Sequence, residues 1–152
     1  MYSRFVVPLL CVSALAFACG PRSHSADVPP TSAAATVDTT EGLAASLDVR
    51  TGDEVEFALR ITNATDKRFE LAFPSGQTHD IVVLDAAGRQ VWRWSEGRMF
   101  TQAVQTKLLG TDETASYVEK WRPEGRAGSY TVIATLNSSN HPVELRRGFT
   151  LP

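Results

Sequence analysis

The residues of this 152-residue chain best able to act as a general base are its three histidines, His24, His79 and His141. A catalytic nucleophile needs such a base beside it. Among the three, His79 alone has an acidic neighbour, Asp80. Adjacent residues of a strand point to opposite faces of its sheet, so we do not expect these two side chains to act together. The sequence therefore predicts no catalytic residue, and we expect that the protein is not an enzyme.

Sequence motifs for hydrolytic, metal and nucleotide chemistry are missing. The chain contains no G-x-S-x-G, H-E-x-x-H, phosphate-binding loop or dinucleotide-binding fingerprint, and no local spacing of His, Cys or acidic residues suggests a metal site. The formal net charge is −2, and basic residues occur singly or in pairs rather than as the clustered face that nucleic acid requires. We expect no cofactor, no metal and no nucleic-acid partner.

Two tryptophans, Trp92 and Trp94, flank Arg93. On a strand they share a face, with Cβ atoms about 7 Å apart. They could form a platform on which sugars or a partner's aromatic groups stack. They could also be core residues, with Arg93 pointing to solvent. We favour the core for at least one of them.

Period-two alternation runs through most of the chain after residue 40. Val55, Phe57, Leu59 and Ile61 alternate with polar or small residues, as in a strand with one buried face. Similar runs recur at intervals of roughly eight to twelve residues without a convincing helix, a spacing typical of β-sandwiches. We predict an all-β fold over residues 41–152, a single antiparallel β-sandwich of immunoglobulin-like type. The runs lie at residues 43–49, 55–61, 69–73, 80–95 around a hairpin turn at 85–88, 114–121, 129–137 and 143–151.

The first 18 residues resemble an export signal. Arg4 is followed by an apolar run, residues 5–18, which has the length of a signal-peptide core and is too short to span a bilayer comfortably. Small residues then precede Cys19, as in the lipobox of bacterial lipoproteins, where the chain is cut before the cysteine and the thiol is lipidated. The other cysteine, Cys11, lies inside the signal, so Cys19 has no disulfide partner. We predict a signal peptide over 1–18 and lipidation at Cys19, with simple cleavage and soluble secretion as the alternative.

Residues 19–40 are predicted to be a disordered tether. They are rich in Pro, Ser, Thr and Ala and contain no aromatic residue, so they bury too little surface to offset their ordering entropy. The signal, the lipid and the tether together predict an exported protein at the cell envelope, attached to the membrane through Cys19.

Residues 73–102 contain a cluster of short motifs. An aromatic residue precedes a Gly-Gln pair, and an acidic residue opens the next strand; after a hairpin come aromatic-x-aromatic-Ser, a turn and Phe-Thr-Gln. This cluster resembles the signature of the BsuPI family, the intracellular proteinase inhibitors. Later, a strand that ends in tryptophan and a Gly-x-Tyr-x-Val sequence also agree with the family. The resemblance covers about residues 45–150. The residues that carry it are Phe73, Gly76, Gln77, Asp80, Trp92, Trp94, Ser95, Phe100, Thr101, Gln102, Trp121, Gly128 and Tyr130.

The resemblance implies an inhibitor of a subtilisin-like serine protease. Three loops are candidates for its reactive site: 95–102, 74–79 and 122–128. The 95–102 loop carries Arg98, Met99 and Phe100 in a row, and subtilisin-like pockets accept large apolar groups such as the latter two. Alternatively, this segment is a structural clamp in which Phe100 enters the core while Thr101 and Gln102 bond to backbone groups.

Two features depart from the family pattern. His79 stands where the pattern usually has an aromatic residue, and its ring nitrogens then need partners. The export signal also conflicts with the description of the family as intracellular. The alternative function is a non-catalytic immunoglobulin-like interaction module, tethered at the cell envelope and binding an envelope protein or a polysaccharide. An exposed Trp92–Trp94 face would favour that alternative.

Overall fold

The computed structural model describes residues 36–40 and 42–152. The predicted signal peptide, Cys19 and the tether up to residue 35 lie outside the described residues. Within the described part every regular element is a strand, and no helix there is long and apolar enough to cross a membrane. The strands are β1 (Thr36–Thr40), β2 (Leu43–Arg50), β3 (Val55–Asn63), β4 (Phe69–Phe73), β5 (His79–Asp85), β6 (Gln90–Arg93), β7 (Gln105–Leu109), β8 (Thr114–Trp121), β9 (Gly128–Leu136) and β10 (Val143–Leu151).

The strands of the described residues pair into two four-stranded sheets and one two-stranded sheet. The first sheet has the order β1-β2-β3-β8, the second has the order β10-β9-β5-β6, and β4 pairs with β7. Each of these pairs is antiparallel. The chain therefore passes from the first sheet through β4 to the second, and returns through β7 to β8 of the first.

The two four-stranded sheets share one apolar core. Alternate residues of β2 and β3, such as Leu47 and Phe57, are fully buried, and so are Ile81 and Val132 of the second sheet. The period-two pattern thus places one side of each strand in the core. Burial of each large apolar side chain stabilises the fold by about 1.5–3 kcal/mol. The predicted fold class, a single antiparallel β-sandwich of immunoglobulin-like type, is confirmed.

Two strands differ from the sequence prediction. Strand β1 (Thr36–Thr40) occupies the last five residues of the segment predicted to be tether, and it pairs with β2 from Thr36 opposite Leu47 to Thr40 opposite Leu43. Strand β7 (Gln105–Leu109) was not predicted at all. Its first four side chains are exposed, so period-two alternation, the signal on which strand prediction depends, is missing there.

A buried asparagine joins the two-stranded sheet to the rest of the molecule. Asn63, at the end of β3, is fully buried. Its side-chain amide lies 2.7 Å from the carbonyl oxygen of Lys67, 3.1 Å from that of Leu109 and 2.9 Å from that of Gly110. Its side-chain oxygen accepts a hydrogen bond from the Thr65 amide at 3.0 Å. These bonds fix the end of β7 and the start of its connection to β8.

Candidate functional site

The candidate site is the connection between β6 and β7, which contains the 95–102 loop. The 74–79 loop lies against it, because the Gly76 amide donates a 2.8 Å hydrogen bond to the carbonyl oxygen of Thr101. His79 at the start of β5 pairs with Leu136 at the end of β9. The 122–128 loop precedes β9, so it lies at the other end of these strands, roughly 25 Å away. Two of the three predicted loops therefore form one surface, and the third is separate from it.

A buried carboxylate holds the base of the 95–102 loop. Asp80 is 4% exposed. One of its oxygens accepts hydrogen bonds from Arg93 Nε at 2.7 Å, from Ser95 Oγ at 2.9 Å and from Gln77 Nε2 at 3.3 Å. The other accepts from the Ser95 amide at 3.3 Å and from the Ile81 amide at 2.9 Å. We call Asp80, Gln77, Arg93 and Ser95 the Asp80 network.

The sequence analysis missed the second role of Arg93. Its side chain is 46% exposed, in line with the expectation that it points to solvent, but its second guanidinium nitrogen also lies 2.6 Å from Asp80 Oδ2, so the two side chains form an ion pair. Arg93 pairs with Val82 in the hairpin, so Asp80, two residues before Val82, is its diagonal neighbour on the same face. The register shift between Val83 and Leu84 sets this pairing, and the sequence pattern does not reveal it.

A stack of rings continues from this base toward the loop. The ring centroid of Trp94 lies 4.1 Å from that of His79, at an interplanar angle of 29°, and 5.4 Å from that of Phe100. The guanidinium carbon of Arg98 lies 4.7 Å from the Trp94 ring centre, within range of a cation–π interaction. We call His79, Trp94, Arg98 and Phe100 the Trp94 stack. Phe100 is half-buried and packs on Trp94, whereas the clamp interpretation placed it in the core.

Both tryptophans are half-buried against the core rather than displayed as a platform. The Trp92 ring centroid lies 6.0 Å from that of Phe57 and 6.5 Å from that of Trp121, in stacked arrangements. Trp94 is covered by the Trp94 stack. This agrees with the prediction that at least one of them packs in the core, and it leaves little free indole face for a sugar or a partner's aromatic group.

His79 satisfies both of its ring nitrogens. Nδ1 lies 3.3 Å from Thr78 Oγ1, and Nε2 lies 3.1 Å from Glu119 Oε1 of β8 in the other sheet. Burial lowers the pKa of His79, against the opposing effects of Glu119 and Asp80, while the Arg98 charge lowers it further. His79 and Asp80 bond to different groups, as expected for neighbours on opposite faces of a strand. A neutral histidine thus fills the aromatic position of the family pattern.

The exposed tip of the loop is Met99. The turn before it is closed by the Arg98 amide, which donates to the Ser95 carbonyl oxygen at 3.2 Å, and Gly97 adopts a φ of 72°, which favours glycine. Arg98 Nε donates to the Trp94 carbonyl oxygen at 2.7 Å. Arg98 and Phe100 are thus both held on Trp94, whereas the Met99 side chain between them is 98% exposed. Of the three predicted reactive-loop residues, Met99 has a side chain free for a partner.

Close packing explains the glycine of the Gly-Gln pair. A Cβ atom on Gly76 would lie 2.7 Å from Thr101 Oγ1 and 3.3 Å from the Thr101 amide nitrogen. Any side chain there would push the two loops apart. Gln102, the last residue of the Phe-Thr-Gln sequence, is exposed, and its side-chain amide lies 3.4 Å from the Phe100 carbonyl oxygen.

Five family-signature residues lie outside the site: Phe73 is buried in the core, Trp92 packs against it, and the other three lie at the far end of the molecule. The Trp121 and Tyr130 ring centroids are 5.3 Å apart in an edge-to-face contact, and Tyr130 stacks on Phe149 at 5.6 Å. The Tyr130 hydroxyl donates to the Arg126 carbonyl oxygen at 3.1 Å, and Gly128 begins β9. Trp121 and Tyr130 therefore build the core beneath the 122–128 loop, at the far end of the molecule, and Gly128 is the exposed residue at which that loop enters β9.

No cluster of three or more His, Cys, Asp or Glu side chains in the described part of the chain is placed to hold a metal ion. The arrangement at the 95–102 loop offers a different capability, which is to present one apolar side chain on a backbone held from both sides.

The comparison with family models decides the family. The model described as "BsuPI: Intracellular proteinase inhibitor" matches residues 43–141. This chain belongs to the BsuPI family. The matched residues include the whole Asp80 network, the Trp94 stack and the three motif residues at the other end; Cys19 lies outside the match. A search of curated proteins gave no match.

Among solved structures, one similar chain is the GAE domain of GGA2p from Saccharomyces cerevisiae. It is 11% identical over 79% of this chain and 98% of its own, with a TM-score of 0.28. A likeness this distant supports no inference about this BsuPI member.

Proposed function

We propose that this protein is a non-catalytic inhibitor that binds a subtilisin-like serine protease and blocks it with the 95–102 loop, with Met99 in the specificity pocket. The BsuPI family's description as proteinase inhibitors supports the inhibitory activity. The loop and the protease class are our own assignment. The observation that carries the assignment is the fully exposed Met99 side chain between two residues that are both held on Trp94.

The chemistry of Met99 suits this role. It is long, unbranched and flexible, so it can fill an irregular apolar pocket. Its burial in the protease would contribute roughly 1.5–3 kcal/mol. Arg98 and Phe100 are already occupied by contacts with Trp94 in the free protein, so they need not be ordered when the complex forms, and pre-ordering of this kind strengthens binding.

The same contacts explain how the loop could resist cleavage. In a substrate, the serine oxygen of the protease attacks the Met99 carbonyl carbon, the bond to the Phe100 nitrogen breaks, and that nitrogen takes up a proton and leaves. Here the Phe100 ring stays packed on Trp94, and Thr101 stays bonded to Gly76. The new amine is thus kept beside the acyl carbon and can attack it again, which re-forms the peptide bond and releases the serine.

We further propose that the inhibitor acts outside the cytoplasm. The support is the sequence alone: a signal over residues 1–18, a lipid on Cys19 and a tether behind it. Its target would then lie at the cell envelope or beyond, unlike the targets that the description of the family as intracellular implies. Soluble secretion is the alternative. Labelling with a radioactive or clickable fatty acid tests the lipid, and a Cys19→Ala variant should lose the label.

The interaction-module alternative has less support. An exposed Trp92–Trp94 face would favour that alternative, but both rings are half-buried and stacked on other aromatic groups. An interaction with another envelope protein is what we would pursue if no protease were inhibited.

Titration of the full chain against a panel of subtilisin-like and trypsin-like proteases tests the proposal. Residual activity is measured as the inhibitor is added, and mass spectrometry then locates any cut. We expect stoichiometric inhibition of subtilisin-like enzymes and one slow cut between Met99 and Phe100. Absence of inhibition at micromolar excess, or rapid cleavage at many bonds, would overturn it.

A further inference from the structure

The Asp80 network raises a question that packing alone does not answer. Removing a carboxylate from water is costly, and apolar residues at a buried site are often as stable as an ion pair. Yet Asp80 is 4% exposed and is held on a strand whose neighbours Ile81 and Val83 are fully buried. The stability of the core alone does not explain a charge at this position.

The donors that reach Asp80 lie on both sides of one residue. Arg93 precedes Trp94 and Ser95 follows it, and both donate to the same Asp80 oxygen, at 2.7 and 2.9 Å. The Trp94 amide itself donates to the Ile81 carbonyl oxygen at 2.9 Å. Three successive residues, Arg93, Trp94 and Ser95, are thus each hydrogen-bonded to β5, and these bonds fix the position of Trp94.

Trp94 in turn holds the two residues beside the loop tip. Its carbonyl oxygen accepts from Arg98 Nε at 2.7 Å, and its ring packs against Phe100 at 5.4 Å. Gln77 Nε2 reaches the Asp80 carboxylate at 3.3 Å from the 74–79 loop, which also holds Thr101. The buried Asp80 carboxylate therefore contacts both segments that position these residues: residues 93–95, which hold Arg98 and Phe100 through Trp94, and the 74–79 loop, which holds Thr101.

We infer that Asp80 is the positioning residue of the reactive bond: acting through Trp94, it decides whether the 95–102 loop behaves as an inhibitor or as a substrate. This inference rests on the proposed function and deepens it. Asp80 touches no reacting atom. Its effect is on how closely the Phe100 amine stays beside the acyl carbon after cleavage.

A weakened network therefore has a specific kinetic result. If the Phe100 side of the cut moves away before the bond re-forms, water completes the hydrolysis. The turnover rate at the 99–100 bond then rises while inhibition weakens. Loss of one charge-assisted hydrogen-bond partner changes the corresponding equilibrium by about tenfold or more. A variant that was merely less stable would not raise turnover at this one bond under conditions where it remains folded.

Two variants and a matched control test this in the full chain. Asp80→Asn keeps the shape and removes the charge, and Ser95→Ala removes one donor while leaving the Arg93 pair. The control is Asp85→Asn, on the same strand, where Asp85 accepts from the Ala87 amide at 2.9 Å and from Arg89 Nε at 2.8 Å in the hairpin turn at the far end. The measurements are the inhibition constant, kcat and KM for cleavage at the 99–100 bond, and thermal unfolding.

We expect Asp80→Asn to weaken inhibition and to raise kcat at the 99–100 bond by about tenfold or more. Ser95→Ala should act in the same direction by less, and Asp85→Asn should change neither. Equal effects from Asp80→Asn and Asp85→Asn, or wild-type kcat and inhibition in a folded Asp80→Asn, would overturn the inference. If Asp80→Asn does not fold, Ser95→Ala decides, and wild-type kinetics from it overturn the inference.

A second measurement separates this inference from the proposed function. The Gly76 amide donates to Thr101 across the two loops, so its hydrogen exchange reports loop order without any protease. Absence of inhibition by the wild-type protein would refute the proposed function. Unchanged exchange at Gly76 in Asp80→Asn and Ser95→Ala would refute the positioning role by itself, whereas about tenfold faster exchange would support it.

Discussion

The loops 95–102 and 122–128 lie at opposite ends of the sandwich, and both expose arginine and glycine residues. They differ in how they are held. The 95–102 loop rests on a buried carboxylate and a ring stack. The 122–128 loop is held by the Arg126 amide, which donates to the Pro123 carbonyl oxygen at 3.1 Å, by the Tyr130 hydroxyl, and by an exposed ion pair from Arg122 Nε to Glu54 at 2.5 Å. Both loops have exposed side chains. The 95–102 loop is the more firmly held in the free protein, and a loop that is already ordered before it binds loses less entropy in the complex.

The largest expected effect comes from the exposed Met99 side chain of the 95–102 loop. Met99→Ala should weaken inhibition by about 10- to 150-fold, because about 1.5–3 kcal/mol of apolar burial in the protease is lost. Its melting temperature should be unchanged, since the side chain is 98% exposed in the free protein. Inhibition constants and thermal unfolding curves check both statements.

Arg126→Ala is the control for that variant, because it removes an exposed side chain from the other loop. We expect it to inhibit as well as the wild type. If Arg126→Ala lost inhibition and Met99→Ala kept it, the reactive site would lie at the 122–128 end and the comparison between the loops would be reversed.

The next effect concerns two glycines. Gly76→Ala places a Cβ atom 2.7 Å from Thr101 Oγ1, whereas at Gly52, in the turn at the far end, the nearest atom would be the Glu54 carbonyl oxygen at 3.6 Å. We expect Gly76→Ala to lower the free energy of unfolding by about 1–3 kcal/mol and to weaken inhibition. Gly52→Ala should be neutral or slightly stabilising. Denaturant unfolding of both variants measures this, and equal stabilities would contradict the close contact between the two loops.

A smaller effect is the pH dependence of folding stability that His79 introduces at the end of the molecule that carries the 95–102 loop. Its pKa is lowered in the folded protein, chiefly by burial, whereas an unfolded histidine titrates near about 6.5. Between these two values the unfolded chain binds more protons, so the contribution of His79 to stability is complete above about pH 6.5 and declines as the pH falls toward the folded pKa. The charged groups that act on its pKa are Glu119 and Asp80, which oppose this shift, and Arg98, which reinforces it.

His79→Phe keeps an aromatic ring in the stack and removes the titration. We expect its unfolding free energy, measured at several pH values between 7 and 5, to fall less than that of the wild type. His141→Phe is the matched control, because His141 lies in the 137–142 loop and contacts Phe69 rather than Trp94. Identical pH profiles for wild type and His79→Phe would show that the lowered pKa of His79 has no part in stability.

The sandwich could be predicted well from the sequence because a strand with one buried face has apolar residues at alternate positions. Strands such as β3 and β9 have one face in the core, and their apolar residues reveal it. Strand β7 has no such face along its first four residues and so left no signal. The site was predicted in part. The motif residue Asp80 and the reactive-loop candidate Met99 were identified, but the ion pair with Arg93 and the bond from His79 to Glu119 depend on strand register and on which sheets face each other. Those contacts form between residues far apart in sequence, which local patterns do not encode.

The smallest expected effect tests whether the 122–128 loop is as loosely constrained as its contacts indicate. Glu124 adopts a φ of 51°, in the left-handed region that residues other than glycine rarely adopt. Glu124→Gly relieves that strain, and the gain exceeds the added entropy of glycine in the unfolded chain by a few tenths of a kcal/mol, up to about 1 kcal/mol. Thermal unfolding should show a slightly higher midpoint, with inhibition unchanged. A loss of stability would mean that the Glu124 side chain contributes to holding this loop, and the contrast between the two ends of the molecule would then be one of degree.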